Sequence, residues 1–196
     1  MATSSSPFRE AWLQAVVETP GLTALSLDDA RAVLLEDSLR ALELVRASDG
    51  PLVDVGSGGG VPGIPLAAAL PEREVVLLEA ERRKCDFLER WAPPNARVVW
   101  GRAEEQPTDW AGVATAKALA SPPVAAEWCL PLVRPGGIAI LWVGDTADLA
   151  AAERAAGALG AEREDSEPGL LVLRKTQPTP AGFPRRTGVA KKRPLA

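Results

Sequence analysis

The residues whose types and spacing could carry chemistry fall in one run, LVDVGSGGGVPGIPLAAALPEREVVLLEA, from Leu52 to Ala80. An apolar strand leads to Asp54, then Gly56, Gly58 and Gly60 follow, a helix begins, and a second strand ends at Glu79. Glycines let the backbone approach a ligand closely, and an acid closing the second strand accepts hydrogen bonds from ribose hydroxyls. The run reads as a nucleotide cradle.

Two ligand classes use such a cradle. Gly58-x-Gly60-x-x-Gly63, with Glu79 placed 21 residues after Gly58, fits the dinucleotide fingerprint of NAD-binding proteins. Asp54-x-Gly56-x-Gly58-x-Gly60 resembles the first motif of class I methyltransferases that use S-adenosylmethionine. Three features favour the methyl donor. Asp54 would repel a pyrophosphate but suits the cationic or hydroxyl-bearing parts of S-adenosylmethionine. The chain has no His and no Tyr, which removes the Ser-His-Asp triad, His-based zinc sites and a Tyr-plus-Lys proton relay. Third, GRAEE after the third strand is placed to meet an adenine edge, with Glu104 as acceptor for its amino group.

The elements that must position these groups alternate. Helical patterns at 8–20 and 28–47 precede a strand at PLVDVG, and strands at EVVLLEA, ARVVWG, GVATAKA and IAILWVG alternate with helices. The helix PVAAEWCLPLV is expected to stop at RPGG, before the fifth strand. AEREDSEPGLLVLRKT reads as a closing antiparallel hairpin around Ser-Glu-Pro-Gly. The expectation is an α/β, Rossmann-like, mostly parallel seven-stranded sheet with the ligand at the carboxyl ends of its strands. The expected division is a helical region at 1–47, the catalytic fold at 48–175 and a basic tail at 176–196.

Composition narrows the class. At 196 residues, 46% of them hydrophobic and 24% charged, the chain suits one globular domain. No apolar run approaches the roughly 20 residues that span a bilayer, and Cys85 and Cys129 read as lone buried thiols, so a cytoplasmic address without metal or membrane is expected. From Arg174 onward there are seven basic residues and no acid, leaving 15 basic against 26 acidic side chains before it. A basic tail on an acidic body suggests a polyanion held at one end, or merely a solubilising extension. Of six tryptophans, Trp91, Trp100, Trp128 and Trp142 read as core, while Trp12 and Trp110 are candidates to stack on a base.

Five segments carry a more specific likeness: LTAL with LLEDSLRAL, DVGSGGGVPGIPLA, LLEAERRKCDFLE, GRAEE, and TAKALA followed by CLPLVRPGG. With the tail FPRRTGVAKKRPL, the chain resembles the glucose-inhibited division protein B family, which methylates N7 of a guanine in bacterial 16S ribosomal RNA. The resemblance implies S-adenosylmethionine as cofactor, 16S RNA or the small ribosomal subunit as partner, and action as a monomer. It implies donor contacts from Asp54, Gly56, Gly58, Gly60, Val61, Glu79, Ala103, Glu104 and Lys117, and catalytic positioning of the base by Lys117 and Arg102. It further implies RNA contacts from Arg185, Arg186, Lys191 and Lys192, and aligns Arg83 and Lys84 with a basic pair.

Four positions depart from the family pattern. Lys117 stands for an arginine, Leu34 for a histidine, Gly21 for an asparagine and Val143 for a lysine. Lysine keeps the charge but loses the planar bidentate fork of arginine. The departures leave two alternatives, a different methyl acceptor (another RNA site or a small molecule) and a non-catalytic RNA-binding relative.

Overall fold

The computed structural model describes residues 7–195; the outermost ends of the expected helical region and tail, residues 1–6 and 196, lie outside them. Helix α1 (Pro7–Glu18) is followed by α2 (Leu27–Ala30), a π-helical run at Arg31–Glu36, α3 (Asp37–Leu39) and α4 (Leu42–Arg46). The single helix expected over 28–47 is therefore broken. The Ser38 hydroxyl bonds back to Leu34 O at 2.6 Å, and the Asp37 N–H donates to Ala32 O, five residues earlier.

Strand β1 (Leu52–Val55), α5 (Gly63–Ala69), β2 (Val75–Glu79), α6 (Arg82–Trp91) and β3 (Ala96–Trp100) build the first half. Strand β4 (Ala111–Ala116), α7 (Pro122–Cys129), β5 (Val133–Trp142), α8 (Leu149–Ala158), β6 (Ala161–Glu164), β7 (Leu170–Lys175) and α9 (Val189–Lys192) complete it. The sheet order is β3-β2-β1-β4-β5-β7-β6, parallel through β5 and antiparallel at β7 and β6. Every residue of β1, β2 and β4 is buried. Central parallel strands are covered on both faces, so continuous apolar runs are what such strands require.

Successive side chains along each strand point to opposite faces. Val53, Val55, Ala114 and Leu141 pack with α7 and α8 on one face. Leu52, Leu77, Val113 and Ile140 pack with α1, α5 and α6 on the other. The RPGG segment is a correction to the expected boundary. It lies inside β5, whose register against β4 shifts between Ala111 and Val113. Gly136 takes φ +85 there, which lets one strand carry the extra residues as a bulge. Trp100 is a second correction. It closes the edge strand β3 and is 62% exposed rather than core.

Candidate functional site

The strand order reverses between β1 and β4, and a cleft opens at their carboxyl ends, where ligands bind in open α/β sheets. The loop after β1 forms its floor. Gly56, Gly58 and Gly60 take φ of +70, +56 and +94, a region that side chains rarely adopt. A Cβ on Gly56 would also lie 2.3 Å from Leu119 Cδ1, so a side chain there would push the tip of Leu119 aside. The cavity measures about 650 Å3, with Gly56, Gly58, Val61, Glu79, Ala103, Glu104, Arg102 and Lys117 among its lining residues.

Glu79 shapes the loop as well as the cleft. Its Oε2 accepts from Gly58 N–H and its Oε1 from Glu81 N–H, each at 2.8 Å. A carboxylate offers about four lone-pair sites, so two N–H donors leave capacity for hydroxyls of a ligand. Across the cleft rim, Glu104 Oε1 accepts from Gly188 N–H at 3.2 Å, while Oε2 carries no such bond among the described residues.

Asp54 and Gly60 sit differently from the expectation, because neither lines the cavity. Asp54 is fully buried, accepting from Gly63 N–H at 3.1 Å and Thr115 Oγ1–H at 3.2 Å. It pins the start of α5 to β1 and β4 from beneath the loop. Burial pushes its carboxyl up to about 7. A Cβ on Gly60 would strike Ile64 at 2.4 Å, so Gly60 serves the packing of the loop on α5.

Lys117 reaches the cleft, yet its ammonium is engaged. Nζ donates to Val33 O at 2.6 Å, pairs with Asp37 and lies 5.6 Å from the Trp142 ring centroid. Arg102 is exposed at the rim and caps the short turn Ala103–Glu105. Lys84 pairs with Glu81 at 2.8 Å, and Arg83 Nη1 donates to Pro20 O at 3.1 Å. Arg83 Nη2 would lie 2.8 Å from a Cβ on Gly21, and Gly21 has φ +82, so a glycine there gives the guanidinium room.

The basic tail folds back on the body. Lys175 is fully buried, donating to Leu130 O and Thr179 Oγ1 and pairing with Asp109 at 3.2 Å. Arg185 forms a two-pronged pair with buried Glu127 on α7 and also donates to Arg193 O at 2.8 Å. Arg185 was expected on RNA, but a guanidinium fork already filled by a buried carboxylate is a docking pin. Arg186, Lys191 and Lys192 are exposed, in no ion pair among the described residues, and Lys191 lines the cleft. Sequence reasoning missed this split because Glu127, 58 residues from Arg185, carries no local sign of its partner. Of the two stacking candidates, Trp12 is fully buried with its indole N–H on Gly59 O at 3.0 Å, and Trp110 packs against the core.

The family model described as rRNA small subunit methyltransferase G matches residues 16–165. The ribosomal RNA small subunit methyltransferase G of Rubrobacter xylanophilus is 38% identical over 85% of this chain and 70% of its own length. That of Synechococcus elongatus is 37% identical over 82% and 76%. Among solved structures, a T. thermophilus 16S rRNA N2 methyltransferase in complex with AdoMet and guanosine aligns with TM-score 0.55 at 17% identity, covering 74% of this chain and 40% of that one. The antibiotic-resistance methyltransferase Kmr aligns with TM-score 0.51 at 24% identity over 70% and 93%. These two share the class I methyltransferase fold. With a family model spanning most of its length and relatives more than a third identical, the chain belongs to the rRNA small subunit methyltransferase G family.

Proposed function

We propose that this chain transfers a methyl group from S-adenosylmethionine to N7 of a guanine in 16S ribosomal RNA. The carrying observation is the cleft itself: a loop of positive-φ glycines facing Glu79, with Ala103 and Glu104 beside it, in a chain without His. The cavity volume falls within the roughly 300–1,000 Å3 typical of small-molecule sites. Open space over Gly58, where a Cβ would have nothing nearer than Gly56 O at 3.8 Å, fits close approach of a ligand to the backbone. When bound, S-adenosylmethionine supplies an electrophilic methyl group on a sulfonium.

The chain's own residues then have three tasks. Glu79 and the loop N–H groups hold the ribose and amino-acid ends. Ala103 and the outward oxygen of Glu104 meet the adenine. The β4 end, Lys117 to Leu119, borders the place of the acceptor base. Guanine N7 attacks with a lone pair and loses no proton, so alignment suffices and no general base is needed. In this reading 48–175 holds the donor, the helices before residue 48 wall the cleft, and the exposed tail cations meet phosphates in the cytoplasm. Exposed Trp100, its indole N–H fixed on Ala80 O at 3.1 Å and Arg82 5.3 Å from its centroid, offers a face to an unstacked base.

The test is methyl transfer from labelled S-adenosylmethionine to unmethylated small-subunit RNA, naked and in subunits, with the product nucleosides identified. Label in 7-methylguanosine at one site is expected. Donor binding without transfer would leave a binding role, and label in another nucleoside would move the acceptor.

A further inference from the structure

Lys117 was expected to act on the substrate, but its surroundings give it other work. Its side chain is 10% exposed, and three groups of the N-terminal helices and β5 enclose its ammonium. In an α-helix the Asp37 N–H would go to Val33 O, four residues earlier. Here the π register hands that N–H to Ala32 O, and Val33 O accepts from Lys117 Nζ. π-Helical turns occur mostly as single-turn bulges inside α-helices, frequently at functional sites. Asp37 pairs with Lys117 through Oδ2 and with Arg40 through Oδ1 at 2.9 Å, and Arg40 reaches Glu167 at 3.4 Å. The Trp142 indole N–H holds Asp37 O at 3.1 Å.

The segment so held lines the cleft with Val33 and Leu34. Its anchors, Lys117 just after β4 and Trp142 ending β5, stand on the β4 side of β1 in the sheet order, whereas Glu79 ends β2 and Ala103 follows β3 on the other side. We propose that Lys117 is a positioning residue, a latch that clamps the π-helical wall at 31–36 through Val33 O and Asp37 and thereby shapes the slot for the acceptor base. The pairing also suits the chemistry, which rests on the methyl-transfer reading above. A guanine methylated at N7 gains positive charge, and a free ammonium beside it would oppose transfer. Lys117 paired with Asp37 does not.

A double-mutant cycle tests this, using Lys117→Met, Asp37→Asn and both together, with kcat, KM for RNA, donor affinity and amide exchange of residues 31–36 measured. A latch predicts that either single variant raises KM for RNA about tenfold, with the double variant no worse than either alone, as for residues of one network. Donor affinity should stay within about twofold, exchange at 31–36 should quicken, and Lys117→Arg should restore KM. A cation acting directly on RNA predicts otherwise: Asp37→Asn would free it and lower KM, the two effects would add, and exchange would not change. That result overturns the proposal. Should a charge variant fail to fold, Trp142→Phe removes only the bond to Asp37 O and must quicken exchange at 31–36. Unchanged exchange there also overturns the latch. If the unaltered chain transfers no methyl, the functional reading fails while the exchange experiment still decides the latch.

Discussion

Asp54 shows how much a single buried carboxyl can contribute. Its folded-state value of about 7 lies above the ordinary 3.8, so the fold favours the protonated form. Stability from that protonation is full below about pH 4 and is lost as pH rises through about 7, because the native state binds more protons across that window. The loss amounts to at most about 4 kcal/mol. Asp54→Asn, which keeps an oxygen for Gly63 N–H, should flatten the pH dependence of urea-unfolding stability between pH 4 and 7. An unchanged slope would assign it to other groups. Glu79→Ala should weaken donor binding by about 2 kcal/mol, roughly thirtyfold, by removing an acceptor and leaving two loop N–H groups without partners. Calorimetric titration with S-adenosylmethionine measures this directly.

Whole elements depend on pairings between segments far apart in the chain. The tail is docked by Arg185 on Glu127, by Thr187 Oγ1 on Glu105 at 3.2 Å and by Gly188 on Glu104, with Ala190 the buried residue of α9. Arg185→Ala leaves Glu127 buried and unpaired, a cost of about 3 kcal/mol in urea unfolding. The double variant with Glu127→Leu should recover much of it, since the stranded charge is then gone. Strands and glycine loop were legible in the sequence because their signals are local: apolar runs for β1, β2 and β4, and Gly56, Gly58 and Gly60 at one turn. The status of each cation was not legible. Lys117 finds Asp37 80 residues away and Lys175 finds Asp109 66 residues away, and no spacing rule spans such distances. The bulge in β5 was hidden likewise, since Gly136 and Gly137 read as a helix stop until β4 fixes the register.

At the scale of the molecule, the docked tail of an acidic body presents Arg186, Lys191 and Lys192 to solvent, with Lys191 on the rim of the cleft. Replacing Lys191 and Lys192 by Ala should weaken RNA binding and reduce the slope of log affinity against log salt by about 0.7 for each phosphate that is no longer neutralised. Filter binding over a salt series reads the slope, and donor affinity serves as the control. The cleft that this rim borders is drawn together from distant parts of the chain. The bonds from Lys117 to Val33 and from Gly188 to Glu104 each close a loop of 84 residues. Closures of that length cost chain entropy before any packing rewards them, and structures built on distant pairings form slowly. The pocket is therefore expected to form late: after dilution from denaturant, helix and sheet signals should return first, and the capacity to hold the donor should lag behind them.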